Sequence, residues 1–388
     1  MTFRRLGPIL AIALALTGSL AAQEPPTLES LLQSARAAYA KGDHAAARTA
    51  LDQASALAEQ APPQDPKRYD VVKQQYAVAF ATGQYTEAER YLQLAINWRE
   101  NTLGRDHPKV AEDLTELAML CRNLNDIPRG LDILAIVNNM YVRSSGTQST
   151  PVADTYSRIA LLEMDNKKPE RAASALRIAI VLRENLLGAD HVGLLPELLR
   201  LGTIWIVLRD YEKAEQVYRH ALIIHERAFG PGNPDLIPTV EGLAYALFGQ
   251  KKYSDAEPYY LRLVSLWEAA GGKDHPMLAL TLDKLSVFYR DQDRRDESDA
   301  ATVRANAIRA LFYASGLSEK ALVELNRDKE EAERLYRRAV AALDASRSEH
   351  KELLSQIEAN LKLLEATLPK PAPAVPAKKA SPKSNRKA

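Results

Sequence analysis

The sequence predicts an all-α fold, a right-handed superhelical solenoid of antiparallel helix pairs. Three observations carry that expectation. A short phrase centred on a small residue recurs every 42 residues, a Gly–x–Asp–His–Pro phrase recurs at the same period, and apolar stripes at helical spacing lie between them. The length of 388 residues would ordinarily suggest two or three domains. A module repeated along one axis escapes that expectation, because each unit needs only its neighbours to complete its core.

Taken in chain order, residues 1–22 read as a secretory signal. Arg4 and Arg5 precede an apolar stretch from Leu6 to Leu16, and Ser19-Leu20-Ala21-Ala22 offers small residues for cleavage. The stretch falls short of the roughly 20 apolar residues of a spanning helix. No cysteine follows it, so a lipoprotein anchor is chemically excluded. The expectation is a protein exported from a bacterial cell, periplasmic or secreted; an uncleaved anchor is the alternative.

The repeats occupy 23–345. Gly83-Gln84-Tyr85-Thr86-Glu87-Ala88-Glu89 returns as Arg209-Asp210-Tyr211-Glu212-Lys213-Ala214-Glu215 and as Lys252-Tyr253-Ser254-Asp255-Ala256-Glu257. The same register holds Gly130, Ala172 and Ser298, and off-register copies place Ala47 and Ala332. A small residue at that point opens a second helix and lets it approach the first. Leu103-Gly104-Arg105-Asp106-His107-Pro108 returns as Leu187 to His191 and as Gly272 to Pro276, with Gly146 and Gly230 keeping the period. Between these phrases Leu114, Leu117, Ala118 and Cys121 form an i, i+3, i+4, i+7 stripe, matched by Leu198, Leu201, Gly202 and Trp205. Val240, Leu243, Ala244 and Leu247, then Leu282, Leu285, Ser286 and Tyr289, repeat it. About eight pairs result, the last with a shortened first helix. A final amphipathic helix within 346–368, carrying Leu353, Leu354, Ile357, Leu361 and Leu364 on one face, is expected to cap the stack. Residues 369–388 hold five prolines and six basic residues with no acid, the composition of an extended, disordered tail.

Charge and chemistry narrow the function. Hydrophobic residues make up 46% and charged ones 26%, which excludes a disordered chain and a polytopic membrane protein. The single cysteine excludes a disulfide framework and a cysteine-based zinc cluster. Taking the two positive charges of 1–22 and the six of 369–388 from the formal +1 leaves 23–368 at −7, not the profile of a nucleic-acid binder. His107, His191 and His275 stand 84 residues apart, two repeats along the stack. That puts them on the order of 20 Å apart, too far to share a metal whose nitrogens sit at about 2 Å. Each instead occupies the cap position before a helix, as Asn233 does in another repeat. Cys121 takes an inward position held elsewhere by Trp205 and Tyr289, which fits packing better than catalysis. No phosphate loop, nucleophile elbow or zinc-protease pair is present. The expectation is no enzyme activity, no cofactor and no metal.

The Tyr–x–x–Ala turn, the Leu–x–x–Leu–Ala first helix and the Gly–x–Asp–His–Pro loop resemble the tetratricopeptide repeat family, in its 42-residue kinesin-light-chain variety, over about 27–345. Departures are Asn125-Asp126-Ile127-Pro128 in one turn and the missing long loop of the first unit. The resemblance implies a concave groove lined by positions 2, 5, 9, 12 and 13 of each first helix. Carried across, those positions include Met119, Arg122, Leu161, Met164, Leu199, Thr203, Ile206, Tyr245, Phe248 and Arg290. Position 9 reads Ala77, Met119, Leu161, Thr203, Tyr245, Val287, which lacks the asparagine of chaperone-binding relatives. An apolar centre with polar flanks suits an extended apolar segment or an amphipathic helix of a protein partner. Packing between adjacent first helices is the competing use of the same residues. A scaffold of this kind is the first functional expectation. The second is a cell-envelope assembly component that self-associates, or tethers to envelope polymers through its basic tail.

Overall fold

A computed structural model describes residues 26–324, 329–343 and 350–366. The signal segment 1–22 and the tail 369–388 lie outside them. Sixteen α-helices and no strand occur among the described residues: α1 (Leu28–Ala40), α2 (His44–Ala58), α3 (Pro66–Ala81), α4 (Tyr85–Leu103), α5 (Pro108–Asn123), α6 (Ile127–Ser145), α7 (Thr150–Asp165), α8 (Pro169–Leu187), α9 (Leu195–Val207), α10 (Tyr211–Phe229), α11 (Ile237–Gly249), α12 (Tyr253–Gly271), α13 (Pro276–Arg290), α14 (Arg295–Glu324), α15 (Lys329–Leu343) and α16 (Lys351–Glu365). They divide into two compact units, with the boundary within α10 between Ile224 and His225.

In the first unit helices pack in successive pairs, and each core cluster is shared by several helices. One runs from Leu31 of α1 to Val78 of α3, a second from Ala79 of α3 to Leu162 of α7, and a third from Ala160 of α7 to Ile224 of α10. No pair could bury its stripe alone, which is why the pattern must repeat. Across both units, all eight small residues of the recurring phrase are buried, seven of them alanine or glycine at helix crossings. Two kinds of left-handed turn keep the period. Gly104, Gly146, Gly188, Gly230 and Gly272 end second helices at φ between 82° and 99°, where a side chain would be strained. The turns within pairs use Gly42 and Gly83 first, then Asn125, Lys167, Arg209, Lys251 and Asp293 near φ 58°.

The expected caps form. His107 Nδ1 accepts the Lys109 N–H at 3.1 Å, His191 Nδ1 that of Gly193 at 3.0 Å and His275 Nδ1 that of Met277 at 3.2 Å. Asn233 Oδ1 does the same for Asp235 at 2.8 Å.

A polar ladder inside the core has no counterpart in the apolar pattern. Asp113, Thr155, Glu197, Thr239 and Thr281 stand 42 residues apart and are all buried. In the first unit Arg99 of α4 reaches Asp113 of α5 at 3.2 Å, and Arg183 of α8 reaches Glu197 of α9 at 3.4 Å. In the second unit the equivalent pair is neutral: His225 Nδ1 and Thr239 Oγ1 lie 2.6 Å apart. Burial holds the His225 imidazole below its ordinary value of 6.5, and the Asp235 carboxylate only partly opposes this. The folded state therefore resists a proton that the unfolded chain accepts, so this contribution is complete above about pH 6.5 and declines as the pH falls. The urea midpoint of the second unit should be lower at about pH 5.5 than at about pH 7.5, with a smaller difference in His225→Gln.

The second unit departs from a plain count of eight pairs. Helix α14 runs unbroken for 30 residues. Its first half packs as the partner of α13, through Ser298 and Ser286 (Oγ to Oγ 2.9 Å), and its second half supplies Ala314, Leu317 and Ala321 to the next cluster. The seventh and eighth pairs thus share one helix. The physical reason is the absence of the Gly–x–Asp–His–Pro phrase between Ala310 and Glu324, where alanine and leucine favour continuation. Gly316 is the only glycine there, and a Cβ at its position would meet nothing within 4 Å. Gly316→Ala should therefore stabilise the unit by about 0.5–1 kcal/mol, read as a higher thermal midpoint. Helix α16 closes the cluster with Leu354, Ile357 and Leu364 buried and Leu353 and Leu361 partly so, the face that the sequence marks.

Candidate functional site

The first-helix face of the first unit opens into a cleft of about 300 Å³ between α7 and α9. Helix α7 contributes Ser157, Ala160, Leu161 and Met164, its i, i+3, i+4, i+7 face. Helix α9 contributes Leu199, Arg200, Thr203 and Ile204, and Leu176 of α8 completes the lining. The space exists because small side chains face it: Ser157, Ala160 and Thr203 stand where larger residues would close the gap between two first helices.

Four residues expected in a groove, Leu161, Met164, Leu199 and Thr203, meet in this one cleft. Met164 and Leu199 also rest against the core cluster beneath, so their orientation is fixed by packing. Thr203 donates to the Leu199 carbonyl at 2.9 Å and lies 3.1 Å from the Tyr218 hydroxyl. Ile206 is half-buried one turn further along α9, and Val207 beside it is exposed.

The other expected positions have different surroundings. Met119 is half-buried and packs on the α3–α7 cluster. Arg122 is exposed and pairs with Asp165, joining α5 to α7. In the second unit, Tyr245 is exposed to 44%, whereas the Phe248 ring lies 5.9 Å from Phe288 and 6.0 Å from Tyr253. Phe248 thus joins an aromatic cluster that also takes in Tyr260. Arg290 is exposed at the end of α13.

Five cleft residues escape the sequence reading: Ser157, Ala160, Leu176, Arg200 and Ile204. Arg200 had a legible signal, since Arg158 occupies the same position one repeat earlier. His107, His191 and His275 cap helices. Burial pushes the Cys121 thiol up, away from the thiolate form. Among the described residues no group of three or more His, Cys, Asp or Glu is placed to hold a metal, and no helix is long and apolar enough to cross a membrane.

Two sequence models of the tetratricopeptide repeat match the chain, one over residues 77–131 and 236–301 and the other over 152–193 and 198–235. Together they cover just over half of it. No curated protein matches. Among solved structures, the apo form of RapI superposes with a TM-score of 0.57 at 14% identity, covering 87% of each chain, which shows a shared fold. BtubC from P. vanneervenii gives 0.49 at 18% identity over 64% of this chain and 94% of its own. The apo quorum sensor NprR from B. thuringiensis gives 0.46 at 13% identity over 87% of each.

Proposed function

Because the chain belongs to the tetratricopeptide repeat family, a family of protein-interaction scaffolds, we propose that it binds a segment of a protein partner on the first-helix face of its first unit. The observation that carries this reading is the α7–α9 cleft, where Leu161, Met164, Leu199 and Thr203 line one open, mainly apolar space. Apolar side chains left half-exposed around a cavity are the common form of a recognition site. His107, His191 and His275 cap helices and Cys121 is packed away, so the reading gives the chain an interaction role.

A photo-crosslinking amino acid at Thr203, in the cleft, should capture a discrete partner in the native host. The same amino acid at Ile178, exposed on α8 and outside the cleft lining, serves as control. Adducts at 178 alone, or equally at both positions, would remove the cleft from consideration. The charged start, apolar stretch and small residues of 1–22 support export as the setting in which the partner is met. Sequencing the N-terminus of the purified protein tests this, since a chain that still begins at Met1 in the cell envelope would contradict cleavage.

A further inference from the structure

A second cleft, of about 630 Å³, lies between the second helices α2 and α4, with α3 beneath them. Ala77, which marks the groove face of α3, does not line it. The space follows from the sequence of α2. Relative to the small Ala47, Ser55 stands where α4, α8 and α10 carry the buried Ile96, Ile180 and Leu222. A short polar side chain in place of a branched one leaves the gap open. The cleft is graded along its length. At one end Asp52, Gln75 and Tyr91 come together, since the same three also border a void of about 10 Å³. Arg90 joins them, its guanidinium 4.4 Å from the centroid of the Tyr91 ring. One turn along each helix stand Ala56, Val72 and Leu94, all apolar. At the far end Trp98 donates to the Pro63 carbonyl at 2.9 Å, and Arg68 is spent on the Glu59 and Ala61 carbonyls at 2.6 and 2.8 Å. From Asp52 to Glu59 the distance along α2 is about 10 Å. Three polar groups at the first end have no partner. Gln75 is only 9% exposed, and its amide makes no hydrogen bond among the described residues, a rare state for a buried amide. Asp52 and Arg90 are exposed on opposite walls and make no ion pair among the described residues, with each other or with any third group.

We infer that this cleft binds a zwitterion with a large apolar side chain, an α-amino acid or a short peptide. The ammonium group pairs with Asp52 and the carboxylate with Arg90. The Gln75 amide stands between them, its oxygen accepting from the ammonium and its nitrogen donating to the carboxylate. The side chain enters between Ala56, Val72 and Leu94 and points towards Trp98. Opposite charges on the two walls decide the class of ligand. An anion would set its charge against Asp52, and a cation would set its charge against Arg90. Only a ligand that carries both leaves neither wall opposed, and an apolar ligand would leave Gln75 without a partner. Arginine suits the carboxylate because its planar fork offers two parallel hydrogen bonds while its flat face rests on Tyr91. The volume falls within the range of about 300–1,000 Å³ usual for small-ligand sites. The site shares no residue with the α7–α9 cleft, so it stands or falls separately.

Isothermal titration of the full-length protein tests this. The probes are L-phenylalanine, the dipeptide L-leucyl-L-phenylalanine, N-acetyl-L-phenylalanine and L-phenylalaninamide. At least one of the two zwitterions should bind, and the tighter of them tells whether a free amino acid or a peptide is the ligand. N-acetyl-L-phenylalanine, which lacks the ammonium, and L-phenylalaninamide, which lacks the carboxylate, should each bind about tenfold more weakly than that zwitterion. Asp52→Asn should weaken the zwitterion about tenfold without weakening N-acetyl-L-phenylalanine. Arg90→Gln should do the same without weakening L-phenylalaninamide. Both residues are exposed, so helicity should stay at the wild-type level. Ser55→Ile, which gives α2 the residue of the later repeats, should abolish binding by filling the gap. No heat of binding from either zwitterion at millimolar concentration would overturn the proposal. So would blocked forms that bind as well as the zwitterion, or a zwitterion indifferent to Asp52→Asn and Arg90→Gln. Binding unchanged in Ser55→Ile would place the ligand elsewhere and overturn it too.

Discussion

Replacing Asp113 by alanine should destabilise the first unit by about 3 kcal/mol, because the part-buried Lys73 and Arg99 lose their shared buried anion and keep only the more exposed Glu116 and Glu112. Asp113 is 1% exposed, and three groups converge on it: Tyr69 donates its hydroxyl at 2.9 Å, Lys73 lies at 3.0 Å and Arg99 at 3.2 Å. Arg99 also stacks on Tyr69, 4.3 Å from the ring centroid, and Tyr69 packs on Trp98 at 5.5 Å. Loss of the carboxylate therefore disturbs a linked set of α3, α4 and α5 contacts. Burial and the neighbouring Asp113 charge push the Tyr69 hydroxyl strongly up, so it stays a donor throughout the accessible pH range. Trp98 reports the event directly. In a Trp205→Phe/Trp267→Phe background, the urea midpoint of its fluorescence should fall in Asp113→Ala. Replacing Lys73, Arg99 and Asp113 together with methionine or leucine should recover much of the loss, because no charge is then stranded. Glu197→Ala is the comparison. One oxygen of Glu197 and the Nε of Arg183 are buried without a hydrogen bond, so that rung is already imperfect and its loss should matter less. Equal effects at the two rungs would mean that satisfaction of the carboxylate is not what sets the energy.

Gly130→Val should destabilise the same unit by about 3 kcal/mol, at the upper end of what forced overpacking costs. Gly130 is the small residue of its repeat. A Cβ there would stand 2.9 Å from the Ala118 carbonyl oxygen, 3.0 Å from Leu162 Cδ1 and 3.3 Å from Cys121 Cβ. The first of these is backbone and cannot rotate aside, so α5 and α6 must separate. Even Gly130→Ala should lose stability, because the clash outweighs the gain in helix propensity of about 1 kcal/mol. The opposite sign expected at Gly316, where a Cβ meets open space, makes the pair a test of close approach against backbone entropy. If alanine stabilised both positions, helix crossing distance would not explain why this repeat position is small. Thermal unfolding followed by circular dichroism reads both variants.

The 42-residue period made much of this legible. A small residue at Ala88, Gly130 or Ala214 is required wherever two helices cross closely, and His107, His275 and Asn233 cap helices through their nearest backbone N–H groups. Both requirements act over a few residues or one crossing, so they leave a regular mark. The candidate site was legible in part. Leu161, Met164, Leu199 and Thr203 share a cleft, but Met119 and Phe248, at corresponding positions, turn to packing. The difference lies in the neighbours: Phe248 meets Phe288 and Tyr253, while Leu161 lines its cleft together with the short side chains of Ser157, Ala160 and Thr203.

The sequence by itself therefore determined the fold class, the turn and cap chemistry and the buried position of the small residues, because each follows from contacts within a repeat. It also held, unread, the 42-residue ladder from Asp113 to Thr281, which apolar periodicity passes over. Tertiary structure alone decided which first helices leave a cleft between them, which arginines keep no partner, and that α14 continues through the point where another loop would fall. Those outcomes depend on distances between repeats. Such distances are set by the summed volumes of side chains from several helices, and no single repeat encodes them.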